Sequence, residues 1–432
     1  MTKKGTFKMN RIALFALAMV LSMSLVLPVF ATPGEKVSLG TEENPAKAAL
    51  TKIFQMPENT DTPDIEFEFT FEPIAFDDSD DPDDMAKFPA EDLDITVEFS
   101  NSSISITDED IGVKTLMIQE EIFKDVDWKH EGKYEFLVKE TQNTYNITDE
   151  FEEKMIYSQG QYGVEVYIME GKDGKLFVFA ILAKIVVHDE SNKDENIGDK
   201  VIVDPGTDKE LTIEGDHSRM IFTNIYVKNN GTPEITDPED PDPEEIDEFS
   251  TLKITKKVDD KGDKTQSFNF RATVDLPAVG DLEDDWDSYT AYKVGKDAAN
   301  NIHIEEIIFT VGDEKTFTLK HGEYLAFTDM HVGASFIAQE DGIQNFTPDY
   351  IIVKNGNSEA KVIGDKGKLL STGLKRIGES DNRADYTNTQ GMVTPTGISV
   401  DNLPYIVLIM ASVFALAGYI AIKFRLKGKS NA

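Results

Sequence analysis

The 432-residue sequence predicts an all-β protein with two β-sandwich domains in tandem. Many short segments alternate apolar and polar residues, which is the pattern of a half-buried strand. Turns rich in Gly, Asp and Asn separate these segments, and helical periodicity is scarce. An acidic, proline-rich stretch at residues 232–248 divides the chain between its two ends into pieces of roughly 185 and 140 residues, each of single-domain size.

The strand-like segments are spread over both halves of the chain. In the first half they are Ile65–Phe71, Tyr134–Val138, Gly163–Ile168 and Leu176–Val187. In the second half they are Leu252–Val258, Ser267–Val274, Thr316–Leu319 and Tyr324–Phe327. Many short strands joined by turns are typical of sandwiches. Because proline stiffens a chain and like charges extend it, we interpret residues 232–248 as a semi-rigid linker.

Composition and charge exclude several classes of function. The chain carries 43 basic and 80 acidic side chains, a net charge of −37, and no cysteine. Such a charge repels nucleic acid, so we expect no nucleic-acid partner. Without cysteine the chain has no disulfide, no thiolate metal site and no cysteine nucleophile.

Acidic and histidine residues give no pattern of a metal or catalytic site. The run Asp77–Asp84 could bind calcium, but it lacks the glycine turn and terminal Glu of a calcium loop, so we interpret it as a solvated loop. Glu120 and Glu121 could suggest the paired acids of a glycosidase, but strand neighbours point to opposite faces. The six histidines show no metal-ligand spacing. We therefore expect no cofactor, no metal and no enzyme activity on an external substrate.

The N-terminal segment has the pattern of a secretion signal. Basic residues precede an apolar run from Ile12 to Phe30, which a proline interrupts at Pro28. We predict a signal peptide at residues 1–31 that is cleaved after Ala31. A membrane anchor is the alternative interpretation, and the Pro28 break together with the small residue Ala31 favours cleavage.

The C-terminal segment combines three features. A Pro-Thr-Gly motif ends at Gly397, an apolar stretch long enough to cross a bilayer follows at residues 403–422, and a short basic tail closes the chain. Together, residues 393–432 resemble a Gram-positive cell-wall sorting signal. The resemblance implies that a sortase attacks the carbonyl of Thr396 and releases everything from Gly397 onward, so that the membrane holds only the precursor. The motif departs from Leu-Pro-x-Thr-Gly and is closer to the x-Val-Pro-Thr-Gly form of some pilus subunits.

In each predicted domain, three polar residues lie on strand faces that are otherwise apolar. A lysine comes early, a glutamate midway and an asparagine late. They are Lys52, Glu140 and Asn224 in the first domain, and Lys256, Glu340 and Asn388 in the second. A buried ion pair or a solvent-exposed strand end would explain any one of them. The same order, found twice, favours a chemical role.

Burial suggests what that role is. Burial lowers the pKa of a lysine and raises the pKa of a glutamate, which favours the neutral amine and the protonated acid. A neutral amine can attack an amide carbonyl, while the carboxyl polarises that carbonyl and shuttles protons. Attack of the lysine on the asparagine, with loss of ammonia, would leave an intramolecular amide bond.

The residues around these positions resemble a known family. The first domain, residues 45–231, resembles the streptococcal pilin isopeptide-linkage domain, and the second, residues 249–390, resembles a related Cna-B-like module; both are Ig-like β-sandwiches. The first resemblance is carried by residues 49–52, 67–71, 134–140, 156–166, 173–176 and 222–226. The second is carried by residues 252–256, 317–323, 336–340 and 386–388.

The resemblance implies two spontaneous isopeptide bonds. Lys52 would be joined to Asn224 with Glu140 as catalyst. Lys256 would be joined to Asn388 with Glu340 as catalyst. The second set departs from the family pattern at two neighbours, Lys257 and Gln339. A bond between first and last strand would carry tension past the intervening residues, so that the domain could not extend.

These observations predict a structural cell-surface protein, secreted and anchored in the cell wall of a Gram-positive bacterium. It would be a sortase-anchored pilin subunit or adhesin stalk, with sortase and peptidoglycan or neighbouring pilin subunits as partners. The alternative is a wall-anchored adhesin that does not polymerise and binds a host or carbohydrate ligand; a surface enzyme is less favoured. No Tyr-Pro-Lys-Asn-like motif marks an acceptor lysine, which leaves polymerisation open.

Overall fold

The computed structural model describes most of the chain between the predicted signal and sorting segments, together with a C-terminal helix. The described residues are 37–90, 93–108, 110–147, 153–206, 215–229, 235–237, 240–279, 286–297, 299–391 and 403–428. The predicted cleavage sites at Ala31 and at Thr396–Gly397 lie outside them. The chain divides into two compact units, the first made mainly of residues 1–231 and the second mainly of residues 232–432.

The first unit is built almost entirely from strands. They are β1 (Ser38–Leu39), β2 (Ala48–Pro57), β3 (Ile65–Phe76), β4 (Ile95–Phe99), β5 (Ser105–Asp108), β6 (Val113–Ile122), β7 (Gly132–Glu140), β8 (Glu153–Ile156), β9 (Gln161–Glu170), β10 (Leu176–Val187), β11 (Lys200–Val201) and β12 (Ile221–Lys228). Its helical pieces in the described part are one turn at Pro82–Met85 and a 3₁₀ turn at Glu190–Asn192.

These strands form two sheets that pack face to face. One sheet has the order β1-β10-β9-β7-β3-β4, with β11 paired to β10, and the other has the order β5-β6-β2-β12-β8. Neighbouring strands are antiparallel except β2 and β12, which run parallel. Aromatic rings from both sheets meet in one core, such as Phe54 and Phe67 with ring centroids 5.3 Å apart.

The core explains why alternation in the sequence predicts these strands. In β3, Phe67, Phe69 and Phe71 are buried while Glu66 and Glu68 are exposed. Strand β2 differs, because both of its faces are buried. Thr51 on its outer face donates from Oγ1 to the carbonyl oxygen of Ser218 at 2.8 Å, since the chain before β12 folds back over this strand.

The second unit repeats the two-sheet arrangement. Its strands are β13 (Leu252–Val258), β14 (Phe268–Asp275), β15 (Ser288–Lys296), β16 (Ile302–Thr310), β17 (Lys315–Leu319), β18 (Tyr324–Phe327), β19 (Ser335–Glu340), β20 (Phe346–Lys354), β21 (Asn357–Ser358), β22 (Val362–Ile363), β23 (Leu370–Ser371), β24 (Lys375–Arg376) and β25 (Arg383–Gln390). One sheet has the order β16-β15-β18-β13-β25-β20-β21, with β22 on β20. The other has the order β17-β14-β19-β23, with β24 on β19.

The pairing of the second unit's first and last strands matches that of the first unit. Strands β13 and β25 are neighbours and run parallel. Apolar side chains from both sheets, such as Phe270 and Tyr386, pack edge to face with centroids 5.2 Å apart. The prediction of an all-β chain with β-sandwich architecture is therefore confirmed.

The stretch interpreted as an extended linker is folded at its C-terminal end. Residues Pro243–Glu248 form a short helix, and the Asp242 side chain caps it by accepting a hydrogen bond from the Glu244 N–H at 2.8 Å. Ile246 is fully buried in an apolar cluster with Ile235, Tyr292 and Val294. The extended interpretation is wrong for this part, because the two aliphatic side chains among the acids are enough to anchor it.

The acidic run Asp77–Asp84 is a turn followed by the start of the Pro82–Met85 helix, and its carboxylates are mostly exposed. Asp78 forms an ion pair with Lys133. No group of His, Asp or Glu in the described ranges has the arrangement of a metal site.

The C-terminal helix extends from Leu403 to Gly428, six residues beyond the predicted end at residue 422. Within it, Pro404–Lys423 is apolar and, at 20 residues, long enough to cross a membrane.

Candidate functional site

The first unit brings Lys52, Glu140 and Asn224 together inside its core. Strands β2 and β12 are parallel neighbours in a register that pairs Lys52 with Phe222, so Asn224 lies two residues further along the same face. Glu140 is the last residue of β7 and reaches this pair from the opposite sheet. The amine and the amide thus come from one layer of the sandwich and the acid from the other.

The three side chains are in direct contact. Lys52 Nζ is 2.7 Å from Glu140 Oε2, and neither side chain is exposed to solvent. Asn224 Nδ2 donates a hydrogen bond to Glu140 Oε1. The other end of this amide is also satisfied, because the backbone N–H of Ser158 donates to Asn224 Oδ1 at 2.7 Å. The carboxyl therefore bridges the amine and the amide nitrogen.

Aromatic rings enclose the lysine amine. Lys52 Nζ is 4.3 Å from the ring centroid of Phe67 and 5.9 Å from that of Phe69. These rings exclude water, so removal from solvent is the largest influence on the lysine: it lowers the Lys52 pKa to about 8, although the adjacent Glu140 acts in the opposite direction. Burial likewise raises the Glu140 pKa above its usual range. Both shifts favour the uncharged amine and acid.

The second unit reproduces this geometry. The register of β13 and β25 pairs Lys256 with Tyr386, so Asn388 again lies two residues further on. Lys256 Nζ is 2.7 Å from Glu340 Oε2, and the side chains are 0% and 1% exposed. Asn388 Nδ2 donates to Glu340 Oε1 at 2.5 Å. Glu340 ends β19, in the opposite sheet, as Glu140 ends β7.

The surroundings of the second amine are equivalent too. Lys256 Nζ is 4.0 Å from the ring centroid of Phe268 and 5.6 Å from that of Phe270. Burial lowers the Lys256 pKa to about 8, against the opposing effect of Glu340, whose own pKa burial raises. The six predicted residues thus form two separate triads, one in each unit.

The triads differ at the asparagine oxygen. In the first unit, Asn224 Oδ1 accepts the Ser158 N–H. In the second, Asn388 Oδ1 is buried and has no hydrogen-bond partner within the described part of the chain. Since a buried carbonyl without a donor is costly, this is the main chemical difference between the two sites.

The first site contains residues that sequence reasoning missed. Asp189 is 1% exposed, and the electrostatic effect of its carboxylate reaches both Lys52 and Glu140. Ser158 follows the end of β8, and Asp189 follows the end of β10. Both lie in loops, where the two-residue period of strands gives no signal. The available hint was an aspartate two residues after the predicted strand Leu176–Val187; no predicted strand ends next to Ser158.

Glu120 and Glu121 are consecutive residues of β6, so their side chains point to opposite faces, as predicted. Glu120 is exposed, whereas Glu121 forms an ion pair with Lys47 at 3.0 Å. Neither of them is part of a triad.

Comparison with known proteins gives a match within the second unit and others over about 80% of the chain. Residues 250–372 match a family model described as a domain of unknown function (DUF7601). No curated protein matches the chain. Among solved structures, the chain is similar to the major pilin of Streptococcus pyogenes, with 20% identity over 80% of this chain and 99% of that one and a TM-score of 0.30.

Two further solved structures are pilus proteins as well. The T3.2 major pilin of Streptococcus pyogenes has 15% identity over 82% of this chain and 100% of that one, with a TM-score of 0.30. The pilus-presented adhesin Cpa has 11% identity over 79% of this chain and 99% of that one, with a TM-score of 0.21.

Proposed function

We propose that this chain is a structural cell-surface protein, a pilin subunit or adhesin stalk, in which an intramolecular Lys–Asn isopeptide bond locks each unit. The observation that carries the proposal is the repeated triad. In both units a buried amine lies 2.7 Å from a buried carboxyl that also contacts an asparagine amide. Two such buried clusters would be a poor way to gain stability by ion pairing alone.

The chemistry follows from the contacts. Within the pair, a proton moves from the Lys52 ammonium to Glu140, leaving a neutral amine. Its lone pair attacks Cγ of Asn224, and a C–N bond forms. The protonated Glu140 delivers its proton to Nδ2, and the carboxylate that results takes a proton from the attacking nitrogen; the C–Nδ2 bond then breaks, and ammonia leaves. Lys256, Glu340 and Asn388 are placed for the same sequence, and neither an oxidant nor a cofactor is required.

The bonds would have a mechanical use. Lys52 and Asn224 lie on neighbouring parallel strands near the two ends of the first unit. Tension on a cross-linked unit would pass from β2 directly to β12, and residues 53–223 would carry none of it. This behaviour suits a shaft that is pulled along its length at a cell surface.

The proposed route to that surface uses both ends of the chain. Residues 1–31 would direct secretion, with cleavage after Ala31. The apolar helix at Leu403–Gly428 would hold the precursor in the membrane until a sortase cuts between Thr396 and Gly397. Thr396 would then be joined to peptidoglycan or to a neighbouring pilin subunit, which leaves a wall-anchored, extracellular protein.

Intact-mass spectrometry of the predicted mature chain, residues 32–396, tests the bonds. We expect the mass to fall short of the sequence mass by two molecules of ammonia. Peptide mapping should then find Lys52 joined to Asn224 and Lys256 joined to Asn388. A mass equal to that of the unmodified sequence refutes the proposal that the units are cross-linked.

A denaturing gel of cell-wall extracts distinguishes a pilin subunit that polymerises from an anchored adhesin that does not. A pilin subunit gives a ladder of high-mass species that disappears when the sortase is deleted. A single sortase-dependent band instead indicates an anchored adhesin that does not polymerise. An unchanged band in the sortase deletion contradicts the proposed anchoring.

A further inference from the structure

We infer that the backbone N–H of Ser158 is a catalytic hydrogen-bond donor for bond formation in the first unit, and that Asp189 is the positioning residue that holds it. The inference rests on the proposed function, because it concerns the rate at which the Lys52–Asn224 bond forms. It gives a role to two residues outside the Lys–Glu–Asn triad.

The orientation of the asparagine amide is the first step. Its nitrogen faces the carboxyl, since Asn224 Nδ2 donates to Glu140 Oε1. Its oxygen faces the other way, to the Ser158 N–H at 2.7 Å. When Lys52 attacks Cγ, negative charge develops on Oδ1. Glu140 therefore serves the two nitrogens, and the donor that stabilises the oxygen is Ser158.

The Ser158 N–H is available because of where β8 ends. This strand pairs with β12 up to Ile156, which lies opposite Ile225. Beyond that point the chain leaves the ladder, so the N–H of Ser158 is free to point at a side chain on β12. A donor that the backbone fixes in a buried site is effective, since it needs no reorganisation as charge develops.

Asp189 ties the donor to the strand that carries the amide. Its Oδ1 accepts the Ser158 hydroxyl at 2.5 Å and the Thr223 N–H at 2.8 Å. Its Oδ2 accepts the Thr223 hydroxyl at 2.7 Å. Thr223 directly precedes Asn224. One buried carboxylate thus sets the distance between the Ser158 segment and the reacting residue.

Other contacts fix the two partners. Gln142 Nε2 donates to the Ser158 carbonyl oxygen at 2.9 Å, and the Gly160 N–H donates to the Ser158 hydroxyl at 3.1 Å. Asp189 in turn accepts the N–H and the hydroxyl of Ser191 at 3.0 and 2.7 Å. Ser158 is 4% exposed. The donor is therefore held on both sides and away from solvent.

The second unit supplies an internal reference for the test. Its triad has the same contacts between lysine, glutamate and asparagine, but Asn388 Oδ1 has no donor in the described residues. A change at Asp189 should alter the first bond and leave the second unaffected. Both bonds can be measured in one molecule.

The experiment follows bond formation in the full chain. Newly synthesised chain is isotopically labelled in a short pulse, quenched in denaturant at intervals and digested, and each cross-linked peptide is quantified against its unlinked peptides. We expect Asp189→Ala to slow the Lys52–Asn224 bond at least about tenfold, since outright loss of an oxyanion donor slows acyl transfer by about 100- to 1,000-fold. The Lys256–Asn388 bond should keep its wild-type half-time.

Three variants keep the result specific. Asp189→Asn keeps one acceptor oxygen for the Ser158 hydroxyl and the Thr223 N–H, but it replaces the Oδ2 that accepts the Ser191 N–H by a donor, so the Lys52–Asn224 half-time should lie between those of the wild type and Asp189→Ala. Ser158→Ala keeps the N–H but loses its anchor, so it should also slow the bond, and it decides the matter if Asp189→Ala does not fold. Glu165→Ala is the matched control, because Glu165 is a buried carboxylate of the same unit that pairs with Lys184 at 3.2 Å, apart from the triad.

The outcomes separate the inference from the proposed function. A wild-type chain without the Lys52–Asn224 peptide refutes both. A wild-type chain with that peptide, together with an unchanged half-time in Asp189→Ala and Ser158→Ala, overturns the inference alone. Equal slowing of both bonds, or equal slowing by Glu165→Ala, also overturns it, because a general effect on folding then explains the result.

Discussion

The two buried triads have the same reacting groups in the same register, yet they differ in what contacts the asparagine oxygen. In the first unit a backbone N–H lies 2.7 Å from Asn224 Oδ1, whereas Asn388 Oδ1 has no partner among the described residues of the second. Lysine, glutamate and asparagine come from strands, whose pairing fixes them in both units. The donor comes from a loop, and loops vary where sheets do not. The comparison therefore separates what the proposed reaction would need from what would accelerate it.

The largest effect is expected at the acids, which the comparison treats as equivalent. Glu140→Gln should leave Asn224 unreacted and restore one ammonia to the mass, because the amide side chain cannot carry protons between the nitrogens. Glu340→Gln should do the same for Asn388, and the double variant should have the full sequence mass. Intact-mass spectrometry measures all three.

The two acids are not equivalent if either single variant restores both molecules of ammonia to the mass, or if either restores none. If Glu340→Gln restores no ammonia and the wild-type chain lacks only one, the second unit forms no bond. The absence of a donor to Asn388 Oδ1 would then explain why. Peptide mapping identifies the unit concerned.

The next effect concerns the stability that each proposed bond would give. Asn224→Ala and Asn388→Ala each open a loop of well over a hundred residues, and the loop-entropy relation gives a loss of about 5 kcal/mol in the free energy of unfolding for either. Denaturant unfolding of each variant, followed by probes in the separate units, measures the loss. A transition in the second unit that does not move with Asn388→Ala contradicts the expected symmetry.

A third effect tests the burial of the two amines before any bond forms. In Asn224→Ala the Lys52 amine stays free, and its pKa in the folded unit, about 8, lies below the unfolded value of 10.5. Folding then releases a proton, so stability is lowest below pH 8. It should rise by about 3 kcal/mol as the pH is raised to 10.5.

The control for this prediction removes the titrating group. Lys52→Met in the same background should flatten the added pH dependence, and the difference between the two unfolding curves isolates the lysine. Asn388→Ala with Lys256→Met should give the same result, since the Lys256 pKa is also about 8. If the difference in unfolding free energy between the two variants does not change with pH, the lysine amine of that unit is hydrated in the folded state.

The smallest effect is the order in which the two bonds form. Because only Asn224 Oδ1 has a donor, the first unit should lose ammonia earlier, with a half-time at least about tenfold shorter. A time course of peptide mapping after a pulse of synthesis gives both half-times. Equal half-times, or an earlier bond in the second unit, would contradict the proposal that the Ser158 N–H accelerates bond formation.

Sequence predicts the triads because their residues lie on strands. A period of two places Lys52, Glu140 and Asn224 on inward faces, and the structure brings them together. It does not identify Ser158 or Asp189, whose positions depend on how loops leave the sheets. The same limit applies to β16, where Glu305 and Glu306 are adjacent and Ile302 is 52% exposed, so that no alternation marks the strand.

Two further differences have the same physical origin. Strand β2 is buried on both faces because a later part of the chain covers it, and local pattern carries no information on such a cover. The charge of the acidic stretch before the second unit predicts an extended chain, but its two isoleucines, Ile235 and Ile246, are buried, and Ile246 is the buried residue of the short helix. Two apolar side chains can outweigh many charges when those charges stay in water.

The enclosure of each lysine by two phenylalanine rings has a consequence for the order of folding and bond formation. In an unfolded chain the amine is hydrated and charged, and it cannot attack. In the proposed reaction it would become a nucleophile only when rings and carboxyl from the opposite sheet surround it, as they do in the folded units, and this requires both sheets to be correctly paired. A bond formed under this condition, with ammonia lost to the surroundings, would be a permanent record that the unit had folded. Misfolded copies would lack the cross-link, and a surface protease could cleave them while it leaves the cross-linked copies intact.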